Sequence, residues 1–299
     1  MNETVCKIVA DRIIKSLDQG IIPWRKPWCK VCDCAFSYAT GAPYSLINQF
    51  LLEERKGEYL TYKQAKQAGG YVKKGAKSQQ VVFWSMLRYD RDGNLLKQDD
   101  DCVDYKTIPY LRYYNVFHID DCEGVKPKIN ENLPCGAKQN VDAETVIADY
   151  IRRTGLKVNR DEKSNKASYS TITDTVTIPL MEQFESTAEY YATIFHELVH
   201  STGHPSRLNR LGIGTDTSEE KYSREELIAE IGSATIMATL GLESSEQFAN
   251  SASYIQSWRD RIAEDNSLIV VATGRAEKAL ELIFGDTLTN KLCENNQAA

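Results

Sequence analysis

The sequence predicts an α+β protein in two parts: an N-terminal α+β part built on an antiparallel sheet, then a mainly helical part carrying a small sheet. Three observations predict this. Short β-branched and aromatic runs cluster before residue 128, and long patterns of helical period follow residue 142. The stretch between them, centred on residues 129–141, is rich in Pro, Gly, Asn and Lys and lacks apolar periodicity, as a linker should. The expected domains are therefore 1–128 and 142–290.

In the first part, residues 3–18 set Val5, Ile8, Val9, Arg12, Ile13 and Leu17 near one helical stripe, and Gly20 supplies the stop signal. Residues 81–84 and 110–117 read as strands, and Asp92-Gly93 reads as a hairpin turn. The second part opens with a helix over 143–154, followed by strands at 167–170 and 175–179. Helical patterns then run over 186–202, 223–240, 248–265 and 275–283.

The chain has 299 residues and 42% hydrophobic content, enough for two core-forming domains. Its N-terminus has neither the apolar centre nor the cleavage site of a signal peptide, and no run approaches the roughly 18 apolar residues of a membrane span. The expectation is a soluble, cytoplasmic protein with no membrane partner. In that compartment the eight cysteines are free thiols or metal ligands. Cys29, Cys32 and Cys34 form a CxxCxC cluster but lack a closely spaced fourth ligand, so they read as ordinary loop thiols. Charge divides unevenly: residues 1–128 hold 20 Lys+Arg against 16 Asp+Glu, within a total net charge of -6. A basic first half joined to an acidic second half suggests a division of labour.

The strongest motif is His196-Glu197-Leu198-Val199-His200. On a helix, histidines at i and i+4 share one face and can reach one ion, while the glutamate beside them can take a proton from water at the metal. Three of the four histidines, His196, His200 and His204, fall on this one segment. Zinc is the expected ion. A catalytic site needs a third protein ligand. The long motif with a third histidine would require His at 206, where the chain has Ser206. The better source is the segment from Tyr222 to Glu230, in which Glu226 is the favoured ligand, with Glu225 and Glu230 the other candidates. Glu230, one turn from Glu226, would then hold a histidine from behind. The alternative is that Ser223 and Glu226 form a capping box at a helix start.

Together these residues resemble the antirestriction protein ArdC family. The matching blocks include Pro23-Trp24-Arg25-Lys26-Pro27-Trp28, Tyr62-Lys63-Gln64-Ala65, Val72-Lys73-Lys74-Gly75 and Tyr113-Tyr114-Asn115-Val116-Phe117. In the second half they include the HExxH segment through Arg207-Leu208-Asn209-Arg210, and the block Glu225 to Glu230. The resemblance implies an N-terminal single-stranded-DNA-binding domain, a zincin-like metallopeptidase domain, and a mobile-element protein that counters host restriction. The CxxCxC cluster and His118 depart from the family pattern.

A physical reading of the first half agrees with a DNA partner. Between Tyr59 and Lys77 the chain alternates aromatic faces with ammonium groups at Tyr59, Tyr62, Lys63, Lys66, Tyr71, Lys73, Lys74 and Lys77. Stacking on aromatics is worth roughly 1–3 kcal/mol per base, and lysines neutralise phosphates. Trp24 and Trp28, flanked by basic residues, are further stacking candidates, with packing as core lids the alternative. The expected partners are single-stranded DNA, with double-stranded DNA second, and a protein substrate. Two functions compete: a zinc peptidase delivered to DNA, and a non-catalytic DNA-coating protein in which zinc is structural. A two-metal nuclease fits poorly with four histidines.

Overall fold

The computed structural model describes residues 2–25, 34–52, 55–96, 105–128, 143–211, 219–242 and 252–285. Trp28, Cys29, Cys32 and the expected linker lie outside them. Elements of the first part are α1 (Glu3–Asp18), β1 (Ala35–Ser37), α2 (Leu46–Leu51), β2 (Gly57–Leu60), α3 (Tyr62–Gln67), β3 (Tyr71–Val72), β4 (Gln79–Tyr89), β5 (Leu95–Leu96), β6 (Lys106–His118) and β7 (Cys122–Glu123). The second part contains α4 (Ala143–Thr154), β8 (Lys157–Arg160), β9 (Ser168–Ser170), β10 (Thr175–Ile178), α5 (Thr187–Thr202), α6 (Glu219–Thr239), α7 (Ala252–Glu264) and α8 (Leu268–Phe284). Among the described residues no helix is long and apolar enough to cross a membrane.

The chain forms two compact units that exchange segments. One comprises residues 1–21, 34–131 and 256–270; the other comprises 22–33, 132–255 and 271–299. The stretch carrying Trp24 thus belongs to the second unit, and most of α7 belongs to the first.

In the first unit a five-stranded sheet runs in the order β1-β2-β6-β4-β5. It is antiparallel except at one edge, where β1 pairs with β2 in parallel. The long pair β4–β6 holds its register from Gln79↔Val116 to Tyr89↔Lys106. The turn at Asp92-Gly93 forms as expected: Gly93 sits at φ 84, where a side chain would be strained, and its N–H donates to the Asp90 carbonyl. Two amides of α2 act as substitute strands. The Asn48 side chain exchanges hydrogen bonds of 2.8 and 2.7 Å with Val82, and Gln49 does the same with Ala35 at 2.8 and 2.9 Å. Around them Tyr44, Leu52, Tyr59, Val81 and Val116 form a core cluster, and Val5, Val9, Ile13 and Leu17 of α1 are buried as the helical stripe required.

The second unit has a three-stranded sheet, order β8-β10-β9, with β8 parallel and β9 antiparallel to β10. Helix α5 packs on β9, β10 and α6. Its apolar face buries Ile194, Phe195, Leu198 and Val199, each worth about 1.5–3 kcal/mol when fully buried. Gly232 of α6 makes the closeness possible: a Cβ there would lie 2.7 Å from Val199 Cγ2.

Candidate metal centre

Helix α5 begins at Ser186, whose side chain accepts from the Glu189 amide at 3.2 Å. Ten residues on, where burial tightens, the two histidines emerge one turn apart on the same face. Their rings meet edge to face with centroids 4.7 Å apart, and the two Nε2 atoms are 3.1 Å apart.

Helix α6 supplies the third group. Glu226 places Oε2 3.5 Å from His196 Nε2 and Oε1 3.5 Å from His200 Nε2. The three residues offer ligand atoms that all lie within 4.8 Å of one another. Tetrahedral ligands at 2.0–2.1 Å from a metal stand about 3.3 Å apart, so this triangle fits one divalent ion. Two imidazoles and one carboxylate suit zinc and its first-row neighbours, and three protein ligands leave a position open. The capping-box alternative lapses for a local reason. Helix α6 starts at Glu219, a full turn before Ser223, so Ser223 and Glu226 lie inside the helix.

The neighbouring carboxylates have contacts of their own. One residue earlier on α6, Glu225 faces about 100° round the helix and lies 3.6 Å from His200 Nδ1. Glu230, which the sequence suggested would hold a histidine, accepts a hydrogen bond from the Tyr254 hydroxyl at 3.0 Å, and its charge helps raise the His196 pKa. His204 lies past the helix end and pairs its Nδ1 with Ser206 Oγ at 2.7 Å.

Glu197 is 8% exposed. Burial pushes its carboxyl above the ordinary value, against the opposing fields of His200 and His196 and a contribution from the Tyr169 backbone. A carboxylate of raised affinity for protons beside a metal triangle is what general-base chemistry needs. For His196, burial would lower the pKa, but the Glu226 carboxylate and the charges of Glu230 and Glu197 outweigh it and raise the value. Glu225 is also buried, yet hydrogen bonds with His200 and Arg210 hold it below the usual carboxylate value.

The residues expected to contact DNA separate into two groups. Trp24 is removed from the set: its ring is 1% exposed, packed within the second unit in a turn against α6, so no base can stack on it. Proline neighbours here mark a core lid. Tyr59 is buried too, and its hydroxyl donates to the Arg55 carbonyl. In contrast Tyr62, Lys63, Lys66, Lys74 and Lys77 are exposed, with Tyr62 leading α3 behind a capping box of Thr61 and Gln64. Lys73 is also exposed and donates to the Asp120 carbonyl at 2.8 Å.

The sequence placed strands at 81–84 and 110–117 but did not mark their side chains as an exposed aromatic ribbon on β4 and β6. Register sets Phe83 opposite Arg112, and Tyr114 and Tyr110 lie on the same face. Phe83 and Tyr114 meet edge to face at 5.8 Å, and the Arg112 guanidinium lies 5.8 Å from the Tyr110 ring centre. On the opposite face Trp84, Met86 and Tyr113 are exposed. Apolar residues on both faces of a strand read as burial; only the absence of alternation around Phe83-Trp84 and Tyr113-Tyr114 could have flagged them.

The structure aligns with the crystal structure of the antirestriction ArdC protein of plasmid R388, metal-free form, at a TM-score of 0.68 and 34% identity, covering 95% of this chain and 98% of that one. The chain belongs to the ArdC antirestriction family. The Mn(II)-bound structure of the R388 ArdC protein aligns at 0.67, also at 34% identity, covering 93% of this chain and 96% of that one. Residues 3–117 match the family model of the N-terminal domain of anti-restriction factor ArdC, and residues 145–275 match a zincin-like metallopeptidase model. Among curated proteins the ArdC-like chain is 31% identical over 291 residues to DNA primase TraC of Escherichia coli, covering 92% of itself and 26% of TraC. It spans only about a quarter of that relative. It is also 28% identical to the protein y4eC of Sinorhizobium fredii, covering 90% of itself and 88% of y4eC. The Mn(II)-bound form of the R388 protein agrees with a divalent-metal centre at the His196, His200 and Glu226 triangle.

Proposed function

We propose that this chain is a mobile-element antirestriction protein that hydrolyses a protein substrate at a zinc centre and binds single-stranded DNA through its first unit. The observation that carries the hydrolytic half is the triangle of His196 Nε2, His200 Nε2 and a Glu226 oxygen with Glu197 alongside. The bound ion would act as a Lewis acid and lower the pKa of water. His196, His200 and Glu226 hold the ion. Glu197 would accept the proton from the attacking water and return it to the leaving amine, and burial raises its carboxyl above the ordinary value. A structural metal would need a fourth protein ligand and would have no use for a buried base. Metal analysis of the purified chain tests this half: about one ion per chain is expected, lost in His196→Ala, His200→Ala and Glu226→Ala. Retention of the ion in both histidine variants would remove the site.

The DNA half rests on the exposed ribbon together with the lysines of residues 63–77. Aromatic faces accept any base and cations follow the backbone, so binding would be tolerant of sequence. That suits a factor protecting incoming strands. Binding of the full chain to an unstructured oligonucleotide should weaken steeply with salt, and replacing Lys73, Lys74 and Lys77 should flatten the slope. Salt-independent binding would argue against phosphate contacts.

The coating reading keeps one observation in its favour: the ribbon's exposed aromatics can shield a strand without chemistry. It predicts protection that survives loss of Glu197.

A further inference from the structure

The loop after α5 carries two arginines, Arg207 and Arg210, each with a side chain only 5% exposed. Both grip a carboxylate. Arg210 donates to Glu225 through Nε at 3.1 Å and through its second terminal nitrogen at 2.7 Å. It also donates to Thr202 Oγ1 at 2.8 Å and to the Val199 carbonyl at 2.9 Å, so the guanidinium ties α6 to the end of α5. Arg207 grips Asp174 through both terminal nitrogens, and donates to the Ser201 carbonyl at 2.7 Å and to the Tyr169 hydroxyl at 3.1 Å. The two clamps are built alike. Of the two carboxylates, Glu225 is the one that also faces a metal-site histidine, with Oε1 3.6 Å from His200 Nδ1.

We infer that Glu225 is a positioning residue for the metal centre, holding His200 in the tautomer that leaves Nε2 free to bind the ion, with Arg210 holding Glu225. The inference rests on reading His196, His200 and Glu226 as the ligands. A neutral imidazole carries one N–H and one lone pair, and the hydrogen bond made by one nitrogen decides which role the other takes. A carboxylate oxygen 3.6 Å from Nδ1 is just beyond hydrogen-bond length, and its charge favours the tautomer with the N–H there. The lone pair is then on Nε2, which points at Glu226 Oε1 and at His196 Nε2. Adjacent glutamates thus divide the work because their directions on the helix differ by about 100°. Glu226 reaches the triangle, and Glu225 reaches the far side of one of its histidines.

Glu225→Gln is informative because Arg210 would claim the amide oxygen. The amide NH2 would then face Nδ1, and a donor there favours the tautomer protonated on Nε2, which cannot bind a metal. The full chain, stripped of metal, is titrated with Mn(II) and with Co(II), the latter read by its visible absorption. Glu225→Gln should weaken Mn(II) binding about 10–100-fold and change the Co(II) spectrum. Asp174→Asn breaks the twin clamp and should lower the melting temperature while leaving the metal affinity within about twofold, since Arg207 and Asp174 hydrogen-bond to no metal-facing histidine. Should Glu225→Gln fold poorly, the double variant Arg210→Met with Glu225→Leu leaves no unpaired buried charge and no acceptor at His200 Nδ1, and is titrated in the same way, with a comparable loss expected. Unchanged metal affinity in the Glu225 variants, or an equal loss in Asp174→Asn, overturns the inference. A parent chain that binds no metal overturns instead the ligand reading beneath it.

Discussion

Gly232 of α6 lies against Val199 of α5, with room for no side chain: an added Cβ would stand 2.7 Å from one methyl of Val199 and 3.0 Å from the other. Val199 precedes His200, and Gly232 is on the helix that bears Glu226. The spacing of the metal triangle is therefore set partly by this contact. Gly232→Ala should cost about 1–3 kcal/mol through overpacking, more than the gain in helix propensity returns. Metal affinity should fall with it, because separating α5 from α6 moves Glu226 away from both histidines. Calorimetric melting and metal titration check this. Unchanged melting would show that Val199 rotates aside.

Glu197→Gln separates the two functional readings. The residue lies outside the metal triangle and feels it through the charges of His200, His196 and Glu226, so metal content and melting temperature should match the parent. Any proteolysis should drop by on the order of 10²–10⁴-fold, the usual contribution of a positioned base. The decisive assay is protection of incoming DNA in cells. Full protection by the variant supports coating; loss of protection with metal and DNA binding intact supports hydrolysis. The hydrolytic reading proposed above expects that loss, whereas on the coating reading the exposed ribbon shields the strand without chemistry.

Stacking should map to the ribbon and leave Trp24 out. Phe83→Ala, Trp84→Ala and Tyr114→Ala should each weaken binding of single-stranded DNA by about 1–3 kcal/mol where a base stacks. Trp24→Ala should destabilise the second unit by about 3–5 kcal/mol, as expected for a buried tryptophan. Fluorescence anisotropy and thermal melting measure the two effects on the full chain. Loss of DNA affinity in a folded Trp24 variant would return that ring to the interface.

Acid should weaken the second unit through Asp174. Burial opposes ionisation there, but hydrogen bonds from Arg207 and Tyr169 outweigh it and hold the pKa below the ordinary carboxylate value. A lowered folded-state pKa gives stability that is fully present above the unfolded value, about 3.9, and is lost as pH falls through the folded one. The melting temperature of the parent should therefore decline below about pH 4 more steeply than that of Asp174→Asn, which has no proton to take up. Parallel declines would remove Asp174 as a source of acid sensitivity.

Local patterns were enough for much of this protein. The helical stripe of α1, the hairpin turn at Gly93, the paired strands β9 and β10, and two histidines on one face of α5 all depend on residues close in sequence, where periodicity and spacing are physical constraints. The choice of Glu226 was likewise open to sequence, but only as one of three glutamates. What tertiary structure decided was direction. Whether Glu225 or Glu230 backs a histidine depends on the crossing of α5 and α6, set by a glycine against a valine. Whether Trp24 or Phe83 meets solvent depends on which unit each segment joins. Burial and long-range carboxylate pairing arise from contacts across more than 30 residues of chain, as between Arg207 and Asp174, and no local period encodes them.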